Sequence, residues 1–169
     1  SKIPVIVHLM ADRPEETAQM VQKLEGLENI AAVELGFAPL LASDIILLAL
    51  ERSLGELPLI VSLPWEQVLT LGSQIIQAGA IAISLAAPRG TLNAETGEDE
   101  RLVTGRLYGP ALFPQALEVV RNAAKLGLPV IGAGGVYSKE NASVMLAAGA
   151  ISVQVDAALW RGGPDFIQQ

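Results

Sequence analysis

Short aliphatic and β-branched runs alternate along this chain with longer stretches whose apolar residues recur at three- and four-residue spacing. The short runs fall at residues 3–8 (IPVIVH), 31–36 (AAVELG), 58–63 (PLIVSL), 80–85 (AIAISL), 129–133 (PVIGA) and 151–155 (ISVQV). They are apolar on both faces, which predicts strands of a parallel sheet covered by helices. Each is followed by helix-compatible sequence. Helix starts are marked by Asp12 to Glu16 with Pro14 near the first turn, by Ser43 and Asp44, by Pro114, and by Ser138 with Glu140 and Asn141. Gly26, Gly79, Gly127 and Gly149 each stand just before the next strand, where a left-handed C-cap is expected.

The similarity of QAGAIAISL (77–85) to AAGAISVQV (147–155) fits repeated units of helix and strand. The pattern predicts an α/β fold of the TIM (β/α)8 type. A complete barrel of that kind takes about 250 residues and eight strands, whereas 169 residues here supply about six βα units. The expected organisation is therefore a single partial (β/α)-barrel domain over residues 1–169. Two units absent from the start would leave the barrel open with unpaired strand edges, which fits a fragment, a truncated form, or half of an assembly in which another subunit covers the gap.

Composition narrows the class. With 51% hydrophobic residues and a mean hydropathy of +0.43 the chain can bury one substantial core. No apolar run is long enough to span a bilayer, and the first residues lack the pattern of a signal peptide, so no membrane association and a cytoplasmic location are expected. The net charge of −7 comes from scattered acids without a basic stripe, which argues against a nucleic-acid partner. The absence of cysteine excludes disulfides, thiolate metal ligands and a cysteine nucleophile.

The chemistry is concentrated in residues 105–164. Gly134 and Gly135 follow a buried strand and precede a helix start, so their amides can approach a phosphate that the helix dipole also favours. The same pair would also serve simply as a tight turn. The turn at Asp156 to Ala158 follows the last strand, and phosphate sites of barrels commonly lie between the last two units. A phosphate-bearing small molecule is thus the expected ligand.

This segment resembles the closing part of the FMN-dependent dihydroorotate dehydrogenases, with the GPA element at 109–111, the GGV turn at 134–136, the AGA at 148–150 and the VQVDAAL ending. IPVIVH, VELG and LPLIVSL are similar more weakly. The resemblance implies a (β/α)8 flavoprotein of pyrimidine biosynthesis that binds FMN at the barrel mouth and oxidises a dihydropyrimidine. It puts Gly134, Gly135 and Val136 on the first phosphate turn, Ala157 and Ala158 on the second, and Gly109 beside the flavin.

The chain departs from the family at several points. Where the family has an asparagine and then a base loop, this chain reads Glu34, Leu35, Gly36, Phe37, Ala38, Pro39. Ser62 replaces the flavin-holding lysine, and Leu85, Ala86, Ala87 and Pro88 stand where a substrate-orienting asparagine is expected, with Arg89 as a partial substitute. Asp156 and Ala157 replace a glycine–threonine pair, which brings a carboxylate beside the phosphate turn. No catalytic residue is assigned. A non-catalytic relative that binds a phosphate ligand or serves as a subunit is the alternative, and a different phosphate-handling barrel enzyme is a third.

Other candidates have plainer readings. His8 ends the first strand and suits either a structural role or acid–base contact, and Glu34 with His8 or Arg89 could form a polar network in the mouth. Asn93 to Glu100 (NAETGEDE) reads as a solvated acidic loop without an ordered metal-ligand pattern. The helix with Leu40, Leu41, Ile45, Ile46, Leu47, Leu48 and Leu50 is apolar around much of its circumference, so it is either deeply packed or part of an interface, and a homo-oligomer is expected. Packing accounts for Trp65 and Trp160.

Overall fold

The apolar runs pair into a parallel sheet because a helix after most of them carries the chain back to the same end. In the computed structural model, which describes residues 3–96 and 99–162, the order begins β1 (Val5–Met10), α1 (Pro14–Leu24), β2 (Ile30–Gly36), α2 (Ser43–Arg52), β3 (Leu59–Leu63), α3 (Trp65–Gln77) and β4 (Ala82–Leu85). It continues with β5 (Arg89–Thr96), β6 (Asp99–Arg106), α4 (Phe113–Lys125), β7 (Val130–Gly132), α5 (Lys139–Ala147), β8 (Ser152–Val153) and α6 (Ala157–Gly162). The sheet order is β1-β2-β3-β4-β7-β8, all parallel, and it curls into a half-barrel. Among the described residues nothing pairs with the outer edge of β1 or β8.

Helix ends follow the local chemistry. Pro14 opens α1, where its missing N–H costs no helical bond. Ser138 caps α5 by accepting from the Asn141 N–H at 3.1 Å. The four glycines that precede strands all adopt positive φ.

The sheet separates two apolar clusters. Val33, Leu35, Val61, Leu63, Ile83 and Val130 face the helices and pack with Val21, Leu50, Val68, Ile75 and Val120. Ala32, Ile60, Ala82 and Ile131 form a small cluster on the concave side. Because side chains alternate along a strand, the next concave positions toward the strand C-termini are Glu34, Ser62 and Ser84, so the layer turns polar there.

Three expectations are corrected. The acidic segment 93–100 is not a plain loop. It forms the far end of an antiparallel hairpin, β5 with β6, in register from Arg89↔Arg106 to Thr96↔Asp99; residues 97 and 98 lie outside the described residues. The β-branched Thr91, Val103 and Thr104 suit a two-stranded ladder, and the Thr91 and Thr104 hydroxyls meet at 2.8 Å. Trp160 is 90% exposed, so packing does not account for it, whereas Trp65 packs against the main core. Leu40 and Leu41 lie before α2 and not in it, with Leu40 exposed; α2 itself buries Ile46, Ala49 and Leu50, so of its two expected settings deep packing all round is not the one it has. Among the described residues no helix is long and apolar enough to cross a membrane.

Candidate ligand site at the barrel mouth

Glu34 is the centre of the polar layer. It is a carboxylate near the end of β2 and only 9% exposed. Burying a charge is costly unless partners replace its water, and β1, β4 and the residue after β8 supply them. His8 Nδ1 of β1 lies 2.8 Å from Oε2. The Ser84 hydroxyl of β4 donates to Oε1, and the Gln154 amide beyond β8 donates to the same oxygen at 3.4 Å. Burial alone would push the Glu34 carboxyl up, but the His8 and Ser84 hydrogen bonds, the attraction of His8 and the Gln154 amide outweigh it. The carboxyl is held below its ordinary value.

The His8 ring owes its place to Gly36. A Cβ on residue 36 would stand 2.5 Å from His8 Cε1 and 2.6 Å from Nε2. No side chain larger than hydrogen fits there while the ring stays hydrogen-bonded to Glu34. His8 remains 40% exposed at the mouth.

A cavity of about 310 Å³ opens over this layer. Its walls include His8, Glu34 and Ser62 together with the turn from Gly134 to Tyr137 and the segment from Gln154 to Ala157. Gly135 has φ +69°, and a Cβ there would come within 2.8 Å of Phe113 Cα, so conformation and close packing both require glycine. The tight-turn role of the glycine pair is therefore real. It does not use up the donors: among the described residues, nothing accepts from the N–H groups of Gly134, Gly135 or Val136. The Tyr137 N–H is taken by Asn141 Oδ1 at 3.1 Å.

Two charged groups of opposite sign line the same cavity, Arg106 at the end of β6 and Asp156 after β8. Burial pushes the Asp156 carboxyl above its ordinary value, against the opposing pull of Arg106. Among the described residues no group of three or more acidic or histidine side chains is arranged to hold a metal.

The cavity brings together Gly109, Gly134, Gly135, Val136 and Ala157, whereas Ala158 is 2% exposed inside α6 and does not line it. Glu34 pairs with His8, and Arg89 is not among its hydrogen-bond partners. Arg89 stands in the hairpin opposite Arg106, and it is Arg106 that reaches the cavity. Sequence reasoning missed Ser84, Gln154, Arg106, Tyr108 and Tyr137. A usable signal existed for the first two: Ser84 is a lone polar residue in an apolar strand run, as Glu34 and Ser62 are, and Gln154 alternates with Ser152 among the aliphatic residues of the last run.

Comparison with known proteins agrees with this architecture. The family model for dihydroorotate dehydrogenase matches residues 73–169. The catalytic subunit of dihydroorotate dehydrogenase B (NAD(+)) from Citrifermentans bemidjiense is 31% identical over 92% of this chain and 57% of its own length. The same subunit of Geobacter sp. (strain M21) is 32% identical over equal shares. That of Streptococcus pneumoniae is 28% identical over 98% of this chain and 61% of its own length. The chain thus spans about three-fifths of the length of these relatives. With more than half of its residues matched by the family model, and with the half-barrel and mouth cavity described above, the chain belongs to the dihydroorotate dehydrogenase family.

Proposed function

We propose that this chain is the phosphate-binding portion of a dihydroorotate dehydrogenase-type flavoprotein, holding FMN by its phosphate at Gly134, Gly135 and Val136. The observation that carries this reading is the set of three turn amides without a protein partner beside a cavity. Amides that converge at a strand-to-helix turn suit an anion. Arg106 adds a positive charge at the same cavity, while Asp156 opposes it. Ala157 and Ala158 would offer backbone only, and Gly109 leaves space beside the ring system.

The phosphate end fits better than the flavin end, since Ser62 supplies no cation. FMN, when bound, supplies a hydride acceptor for oxidation of a dihydropyrimidine, the reaction for which the relatives are named. Residues 36–39, Gly-Phe-Ala-Pro, offer no side chain able to take a proton. That observation favours a second reading, a relative that binds a phosphate ligand or serves as a subunit without dehydrogenase activity. A cytoplasmic homo-oligomer remains the assembly expected under either reading.

Adding FMN and separating by gel filtration tests the first reading: a flavin absorption band should travel with the protein. Asp156→Asn removes a negative charge beside the phosphate and should tighten FMN several-fold, measured by flavin fluorescence. Protein that emerges colourless and leaves FMN fluorescence unchanged overturns it. Where FMN binds, anaerobic dihydroorotate should bleach the band; a bound flavin that stays oxidised selects the second reading.

A further inference from the structure

We propose that His8, oriented by Glu34, is the proton acceptor of the mouth cavity for a ligand carrying a C–H bond next to a carbonyl group. The inference rests on the proposed reading of this chain as one that takes a dihydropyrimidine, and not on FMN being retained. An ionised carboxylate only accepts hydrogen bonds, so the 2.8 Å contact to Glu34 Oε2 puts the hydrogen on His8 Nδ1. In the neutral ring, the form that can accept a proton, the lone pair is then on Nε2.

Its setting is built and not incidental. Glu34 is fixed from β1, β4 and the segment after β8, and the imidazole lies over Gly36, the one residue type whose lack of a side chain leaves room for it. His8 and Glu34 both line the cavity that holds the unpartnered turn amides. Residues 36–39 carry no competing base, and the Arg106 guanidinium has no lone pair to accept a proton; among the described residues the other carboxylate lining the cavity besides Glu34 is Asp156, after β8.

The step balances without a further reactant. The ligand C–H bond breaks, its proton forms an N–H bond at Nε2, and the electron pair moves into the neighbouring carbonyl as an enolate. Glu34 offsets the charge of the imidazolium. Reversal returns a hydrogen from the ring, so in D₂O the ligand gains deuterium. Glu34 is a positioning residue in this scheme.

Dihydroorotate in D₂O is the probe, with the chain assayed with and without added FMN. The NMR signal at the carbon beside the ring carbonyl should decay faster than in buffer, and His8→Asn should slow that decay by roughly 10²- to 10⁴-fold. Glu34→Gln should slow it as well, with Glu34→Asp restoring part of the rate. The chain has one histidine, so the ultraviolet absorbance of acylated imidazole formed with diethyl pyrocarbonate reports on His8 alone in the unaltered protein, and dihydroorotate should protect it. Exchange at the buffer rate under both conditions, exchange unchanged in a folded His8→Asn, or acylation unaffected by dihydroorotate each overturns the proposal. Exchange in protein that does not bind FMN supports the proposal and overturns the flavin reading; FMN binding with no exchange does the opposite.

Discussion

At residue 36 the missing side chain and the His8 ring occupy one space, so neither is understood alone. Gly36→Ala forces the ring off its Glu34 hydrogen bond and should cost about 1–3 kcal/mol, as overpacking does. In a His8→Ala background the same substitution should cost less than half as much. Urea denaturation of the four proteins reads this coupling, and equal costs in both backgrounds would refute the steric account. Glu34 carries a second expectation. Its carboxyl is held below the ordinary value in the folded chain, so its contribution is complete above the ordinary carboxylate range and is lost as pH falls through the lowered value. Glu34→Gln should cost about 1–3 kcal/mol at neutral pH by leaving buried partners poorly matched. It should also flatten the acid-side fall in the urea midpoint, and a slope identical to the parent would show that Glu34 does not titrate as argued.

At the scale of elements, each concave strand position is set by alternation. The apolar layer of Ala32, Ile60 and Ala82 is followed two residues on by Glu34, Ser62 and Ser84. This phase was readable in the sequence, yet strand pairing alone says which polar residues meet. Ser84 reaches Glu34 across 50 positions and Gln154 across 120. The hairpin was missed for a different reason: its acidic composition near residues 93–100 resembles a loop, while the pairing that makes it a ladder comes from the partner strand. Helix α5 was foreseen through Ser138, Glu140 and Asn141. Because Ser138 accepts from the Asn141 amide, Ser138→Ala should lower stability by about 1 kcal/mol. A thermal melt that does not move would mean water or Asn141 substitutes for the cap.

Across the whole molecule, the parallel half-barrel leaves β1 as an edge with Ile3 82%, Val5 45%, Ile6 50% and Met10 46% exposed. An edge of unpaired backbone bordered by apolar side chains promotes association. The isolated chain should therefore form larger species as its concentration rises, and Ile6→Lys should shift it toward monomer. Light scattering after gel filtration checks this, and a parent chain that stays monomeric throughout would contradict it. By itself the sequence determined the strand runs of the parallel sheet, most helix boundaries, the α/β class, the glycine turn and the family resemblance, because these depend on residues close together in the chain. Only the tertiary structure decided that His8 pairs with Glu34 and not Arg89, that Arg106 and not its ladder partner reaches the cavity, and that Gly36 makes room for an imidazole. Those facts depend on which strands are neighbours and in what register. A carboxylate, a ring and a missing side chain far apart in the chain acquire a shared chemistry only when the sheet brings them within hydrogen-bond and van der Waals range.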